Sequence, residues 1–294
     1  MPYLQIACQL DAGYCQLAED VLMEHGAMSV TFQDPGGDPV LEPDPGTNPL
    51  WERVTVLALF ESGADPEALR RRLQSELGEV AVSDWQAQTL RDRAWERAWM
   101  DDFHPMRFGE RLWVCPSNGR VQEPGAVVLK LDPGLAFGTG THPTTALCLR
   151  WLDSAPMDGA QVIDYGCGSG ILGVAALLLG ARSCHGVDND PQALTASREN
   201  AERNGVSPRL LLSLTDGTPA PAPADIVVAN ILSRVLIDLA PRLTGLVRPG
   251  GQLVLSGILE EQVLSVVAAY GDGFRFHQPV IEGDWALLIA DRTG

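Results

Sequence analysis

The run "QVIDYGCGSGILGVAALLLG", residues 161–180, constrains the fold of this chain more than any other stretch. A short strand candidate leads into four glycines (Gly166, Gly168, Gly170 and Gly173) within eight positions, and an almost unbroken apolar segment follows. A strand that is apolar on both faces belongs inside a parallel sheet, and a glycine-rich turn lets the backbone swing into a covering helix. The alternation continues through "SCHGVDN", "PQALTASRENAERNG", "ADIVVANIL", "RVLIDLAPRLTGLV" and "GQLVLSG". Strands alternating with helices predict an α/β fold, a doubly wound and mostly parallel sheet, over about residues 104–294. The end, "FRFHQPVIEGDWALLIAD", reads as an antiparallel hairpin that closes the sheet.

The leader has a different rhythm. "YLQIACQL", "AEDVLMEHG" and "AMSVTFQD" read as strand, helix and strand, and "WERVTVLALF", "DPEALRRRLQSELG" and "EVAVSDWQ" repeat that order, with Asp65 as helix cap and Pro66 in the first turn. This order predicts a smaller α+β ferredoxin-like domain over residues 1–90. A proline-rich loop, residues 34–49, separates its halves. "DRAWERAWMDDF" then predicts a linker helix over 91–103, with Trp95 and Trp99 on one face as packing residues.

Composition narrows the partners. The chain of 294 residues carries a net charge of −17, and no local basic patch is visible, so direct nucleic-acid binding is not expected and a basic protein partner fits better. The first ninety residues alone hold 15 Asp and Glu against 4 Arg. No window reaches the roughly 18 apolar residues of a membrane span, and "MPYLQIACQLDAGYC" lacks the marks of a signal peptide, which predicts a cytoplasmic protein with no membrane contact. The six cysteines lie without metal-ligand spacing, so they read as reduced thiols with no metal site.

The glycine cluster allows two cofactors. Gly168, Gly170 and Gly173 satisfy G-x-G-x-x-G, with Asp188 at the end of the next strand, which is the literal pattern of a dinucleotide site and of a nicotinamide-dependent oxidoreductase. Gly166, Gly168 and Gly170 equally satisfy D-x-G-x-G-x-G with Asp164. A carboxylate two residues before the turn disfavours a pyrophosphate at the helix N-terminus and favours the cationic sulfonium and ammonium of S-adenosyl-L-methionine. Asp188 suits the ribose hydroxyls of either cofactor, and Asp190 stands behind it because Pro191 marks a helix start. Cys167 has no base beside it and reads as a small turn residue.

With "VIDYGCGSG", "GVDNDPQAL" and "ADIVVANIL" on successive strands, the last 190 residues resemble a class I S-adenosylmethionine-dependent methyltransferase, whose domain is built on a seven-stranded sheet. "WERAWMDDFHPMRFGERLWVCPS", "LDPGLAFGTGTHPTT" and "VVANIL" behind an acidic leader resemble the bacterial ribosomal protein L-eleven (L11) methyltransferase family over nearly the whole chain. The resemblance implies that Thr145 and Gly166 contact the methionine part of the cofactor, Asp188 the ribose, and Asn230 the region of the transferable methyl. Asp164 and Gly168 join these as cofactor-binding candidates, and Phe137 is placed to stack on or cover the ligand. Pro143 at a helix start is expected to leave the amides of Thr144 and Thr145 unpaired and available to a carboxylate.

The run Asn230, Ile231, Leu232, Ser233 departs from the Asn-Pro-Pro-aromatic pattern of many nitrogen methyltransferases and is compatible with a flexible amine. The family implies methylation of lysine side chains and an N-terminal amine on one large-subunit ribosomal protein, with Asn230 as the catalytic residue. Asp164 and Asp188 are expected to face the cofactor and leave the target nitrogen to Asn230 and backbone carbonyls. Competing expectations are another protein or RNA as methyl acceptor, the oxidoreductase, and a cofactor-binding regulator without turnover.

Overall fold

The computed structural model describes residues 3–33, 53–61, 63–78, 82–90, 104–131, 142–216 and 222–293. The linker helix expected over 91–103, the proline-rich run 34–49 and Phe137 lie outside these residues. The chain divides into two compact units, Met1–Trp99 and Met100–Gly294.

In the first unit the order is β1 (Tyr3–Asp11), α1 (Cys15–Glu24), β2 (Ser29–Gln33), β3 (Arg53–Glu61), α2 (Pro66–Leu77) and β4 (Ser83–Leu90). The sheet runs β2-β3-β1-β4 with every neighbour antiparallel, which is the ferredoxin-like arrangement. The period of two places Leu4, Ile6, Cys8 and Leu10 of β1 beside Val54, Val56, Ala58 and Phe60 of β3 in one buried layer. Ala18, Val21 and Leu22 of α1 and Leu69, Leu73 and Leu77 of α2 cover it. Asp65 caps α2 as expected, its carboxylate accepting from the amides of Glu67 and Ala68 at 3.0 and 3.3 Å.

The second unit opens with a feature absent from the sequence reading. Strands β5 (Met106–Phe108), β6 (Leu112–Cys115) and β7 (Val127–Lys130) form a small separate sheet. Helix α3 (Pro143–Ser154) anchors it through Asp153, a buried carboxylate that accepts the amides of Glu110, Arg111 and Leu112 and faces the Arg111 guanidinium. Three backbone donors of the β5–β6 turn are thereby satisfied by one side chain.

The main sheet comprises β8 (Gln161–Tyr165), β9 (Ser183–Asp188), β10 (Leu210–Leu214), β11 (Ala224–Asn230), β12 (Val247–Leu259), β13 (Phe274–Phe276), β14 (Val280–Glu282) and β15 (Trp285–Arg292). Its order is β10-β9-β8-β11-β12-β15-β13, parallel from β10 to β12 and antiparallel at β15. Seven positions therefore hold eight strands among the described residues, because β13 and β14 pair with successive parts of β15 and Pro279 lies between them. On the central strands Val162, Val228 and Val254 face one core, and Ile163, Val227 and Leu253 the other.

Helix α4 (Ile171–Leu178) packs with α3 into the first core. The second core takes residues of α6 (Ser233–Asp238), α7 (Ala240–Leu246) and α8 (Val263–Tyr270). The remaining helix, α5 (Pro191–Arg203), joins β9 to β10. The chain proceeds from β8 toward β10 on one side and from β11 toward β12 on the other, so the strand order reverses between β8 and β11. A doubly wound sheet opens its ligand crevice at that reversal, beyond the carboxyl ends of the strands. No helix among the described residues is long and apolar enough to cross a membrane.

Candidate active site

The crevice is floored by the turn after β8. Gly166 and Gly170 both have φ of +76°, a backbone conformation that side chains rarely adopt. A Cβ on Gly166 would lie 2.3 Å from Ile231 Cγ2, and one on Gly170 would lie 2.7 Å from Ser197 Oγ. The amides of Gly166 and Cys167 both donate to the carbonyl of Val187 on β9, at 2.7 and 3.0 Å, which stitches the turn across the sheet. Cys167 is buried, and burial followed by the charge of Asp164 pushes its thiol well above the usual range, so its chemistry is that of a packed turn residue.

Asp188 ends β9 and forms the far side of the turn. One oxygen, Oδ2, accepts the Gly168 amide at 2.8 Å and the other, Oδ1, accepts the Asp190 amide at 3.0 Å. The carboxylate is thus fixed from two directions while each oxygen keeps acceptor capacity. Asp190 serves as the N-cap of α5, accepting the Gln192 amide at 2.8 Å.

Asp164 is placed differently from the expectation. It is 1% exposed, is not among the residues lining the cavity, and accepts the Gly173 amide at 2.8 Å behind the turn. Strand alternation explains this: Asp164 shares a pleat face with Val162, the face covered by α4, and glycine at 173 leaves room for the carboxylate.

Burial outweighs the Gly173 hydrogen bond, and with the nearby Asp188 charge it pushes the Asp164 carboxyl up to about 7 from an ordinary 3.8. Between those values the native chain keeps a proton that the unfolded chain has lost, so stability falls as pH rises through that window and levels off above about 7. The effect is on the order of a few kcal/mol. We therefore expect Asp164→Asn, measured by denaturant unfolding from pH 5 to 8, to gain stability relative to the parent as pH rises. Parallel pH profiles for the two proteins would count against it.

The opposite wall is the start of α3. Here a second expectation is corrected: the first-turn amides are not left unpaired. The Thr145 amide donates to the His142 carbonyl at 3.0 Å and the Thr144 amide to His142 Nδ1 at 3.4 Å, because His142 serves as the N-cap. Its ring stands edge-on to Trp285 at 4.9 Å, and burial lowers its pKa from the ordinary value. What the helix presents to the cavity is the side of Thr145, whose Oγ1 accepts from Asn230 Nδ2 at 3.1 Å. Two residues 85 apart in the chain thus meet across the crevice. Ser256 of β12, fully buried, donates to the Thr144 carbonyl at 3.2 Å and holds the helix start down on the sheet.

Thr145, Gly166, Gly168, Asp188 and Asn230 line one cavity of about 280 Å³, together with Ile171, Leu172, Asn189, Ala193 and Ile231. Helix α5 holds this site from outside through residues that the sequence reading passed over. Asn204, just beyond its end, pairs with both the amide and the carbonyl of Lys130 at 2.8 Å, immediately upstream of the threonine-rich loop. The inward face of this helix carries small and polar residues where large apolar ones are usual, which was the signal available in the sequence.

A profile of the family described as "Ribosomal protein L11 methyltransferase (PrmA)" matches residues 2–293. The chain belongs to that family. A ribosomal protein L11 methyltransferase of Pseudomonas putida (strain GB-1) is 53% identical over 293 residues, covering 99% of this chain and 100% of its own. The corresponding protein of Methylococcus capsulatus is 50% identical over 289 residues, 98% of each chain. A crystal structure of a ribosomal protein L11 methylase from Lactobacillus delbrueckii subsp. bulgaricus is 32% identical with a TM-score of 0.60, covering 65% of this chain and 100% of that one. Members of this family use S-adenosylmethionine, which sets aside the oxidoreductase reading of the glycine motif. The cavity suits that cofactor: the one carboxylate among its described lining residues is already oriented by backbone amides, and the glycines leave the floor bare where a Cβ at 166 would strike Ile231.

Proposed function

We propose that this protein methylates amines of ribosomal protein L11, at lysine side chains and the N-terminal α-amine. The reading rests on the full-length family match together with Asn230, a half-buried polar side chain at the carboxyl end of β11 that lines the cavity. Ile231 lines the cavity beside Asn230 and gives the alkyl stem of a lysine an apolar surface next to the amide. The acidic first unit, with 15 Asp and Glu against 4 Arg over residues 1–90, suits a basic protein substrate and disfavours direct contact with nucleic acid. A cytoplasmic location follows from such a substrate.

In this reading Asp188 holds the ribose, Thr145 and Gly166 the methionine part, and Gly168 the Asp188 carboxylate itself. When bound, S-adenosylmethionine supplies a methyl group activated by positively charged sulfur. The residues of the chain have to align an uncharged amine, because deprotonating a lysine of pKa about 10.4 costs about 4.6 kcal/mol at pH 7. Asp188 is the one carboxylate among the described lining residues, and in this reading its remaining acceptor capacity is taken by the ribose, which leaves the amine to the neutral Asn230. Desolvation against Ile231, which lines the cavity, acts in the same direction.

The test offers the full chain labelled S-adenosylmethionine with unmodified L11 and, separately, ribosomal RNA. We expect label on L11, traced by mass spectrometry to lysine Nζ and the terminal amine. Label on RNA alone, or on L11 oxygen or sulfur atoms, would overturn the assignment.

A further inference from the structure

Helix α5 is an amphipathic helix with an unusual inner face. Ala193, Ser197, Asn200 and Ala201 are its buried residues, Ser197 at 0% and Asn200 at 6% exposure. Serine and asparagine favour helices weakly and seldom occupy a buried stripe that aliphatic side chains could fill. Both are engaged on one target. Ser197 Oγ donates to the Gly168 carbonyl at 2.9 Å, and Asn200 Nδ2 donates to the Ser169 carbonyl at 2.9 Å. The same turn approaches α5 so closely that a Cβ on Gly170 would lie 3.0 Å from Ser197 Cα.

The consequence runs through Gly168. Its carbonyl is held by Ser197 from outside, and its amide is held by Asp188 from the cavity side. A residue pinned at both ends fixes where the Asp188 carboxylate points. We propose that Ser197 and Asn200 are positioning residues for cofactor binding: they clamp the glycine turn so that Asp188 and the bare cavity floor are preorganised for the nucleoside end of the ligand. Neither residue lines the cavity, and neither bonds to Thr145 or Asn230 at the methyl-transfer end. The clamp therefore acts on cofactor affinity more than on the chemical step. This inference rests on the reading that S-adenosylmethionine occupies this crevice.

The test is calorimetric titration of S-adenosylhomocysteine into the full chain, with steady-state kinetics in parallel. Ser197→Ala removes one donor, and Asn200→Asp replaces a donor by an acceptor of the same shape facing a carbonyl. Thr195→Ala, on the exposed side of the same helix where the Thr195 hydroxyl donates to the Pro191 carbonyl one turn back, is the control. We expect affinity to fall about fivefold in Ser197→Ala and about tenfold or more in Asn200→Asp, with most of the kinetic effect in KM for S-adenosylmethionine. Thr195→Ala should bind as the parent does. Parental affinity in Ser197→Ala overturns the proposal even if its melting temperature drops, because a purely structural role would lower stability without moving affinity. An effect confined to kcat overturns it as well. Failure of the parent chain itself to bind S-adenosylhomocysteine would sink the cofactor placement beneath it, an outcome distinguishable from a normal parent with normal variants.

Discussion

Replacing Asp188 by alanine is expected to weaken S-adenosylhomocysteine binding by on the order of 10²- to 10³-fold. The side chain is 8% exposed and joins three things at once: the Gly168 amide, the Asp190 amide and, in the proposed complex, the ribose hydroxyls. Hydrogen bonds to a charged acceptor contribute about 1.5–3 kcal/mol each, so two ribose contacts amount to about 3–6 kcal/mol, and the expected loss lies in the lower part of that range because water partly replaces the carboxylate. Asp188→Asn preserves the shape and one acceptor oxygen, and its loss should be smaller by roughly a factor of ten. Calorimetry with both variants decides the matter, and a change below about threefold in Asp188→Ala would rule out a ribose role.

The second large effect falls on the chemical step. Asn230→Ala is expected to reduce kcat for methyl transfer by about 10²- to 10³-fold, the usual scale for one oriented polar group at a reacting centre, while leaving cofactor affinity nearly intact. The geometry suggests the mechanism. Donation from Nδ2 to Thr145 Oγ1 at 3.1 Å fixes the amide plane, which leaves Oδ1 as the acceptor for an N–H of the incoming amine. Thr145→Val, nearly isosteric but without the hydroxyl, should lower kcat by about tenfold through loss of that orientation. Single-turnover rates on L11 would check this. A loss in Asn230→Ala that appears wholly as weaker S-adenosylhomocysteine binding would assign the residue to the cofactor instead.

Much of the fold was legible because its signals are local. Apolar runs separated by glycine turns gave the parallel strands β8, β9, β11 and β12, and "IEGDW" gave the β14–β15 hairpin. Asp65 before Pro66, and Asp190 before Pro191, marked helix starts because a short acceptor followed by proline suits the first turn. The small sheet of β5 to β7 was not legible: strands of three or four residues carry too few alternations to register, and the sheet depends on Asp153, about 40 residues away in the chain. The capping by His142 was also hidden, since histidine is not a usual N-cap and the helix start alone suggested open amides.

The Asp164 placement was recoverable in principle. Its even spacing from Val162 puts both on one face of β8, and Asp164 lies before the last residue of the strand, where that face is still buried in the first core.

The sequence by itself determined the family, the doubly wound sheet behind a ferredoxin-like leader, and the residues Thr145, Gly166, Gly168, Asp188 and Asn230 that line the crevice. Motifs on strand ends report these because each strand end is fixed by local pattern. The tertiary structure alone decided which of these residues meet. The bond between Thr145 and Asn230 spans 85 residues, the clamp of Ser197 on Gly168 spans 29, and the Asn204 pairing with Lys130 spans 74. Hydrogen-bond partners of that separation are set by how helices pack on the sheet, and no local spacing in the chain encodes them.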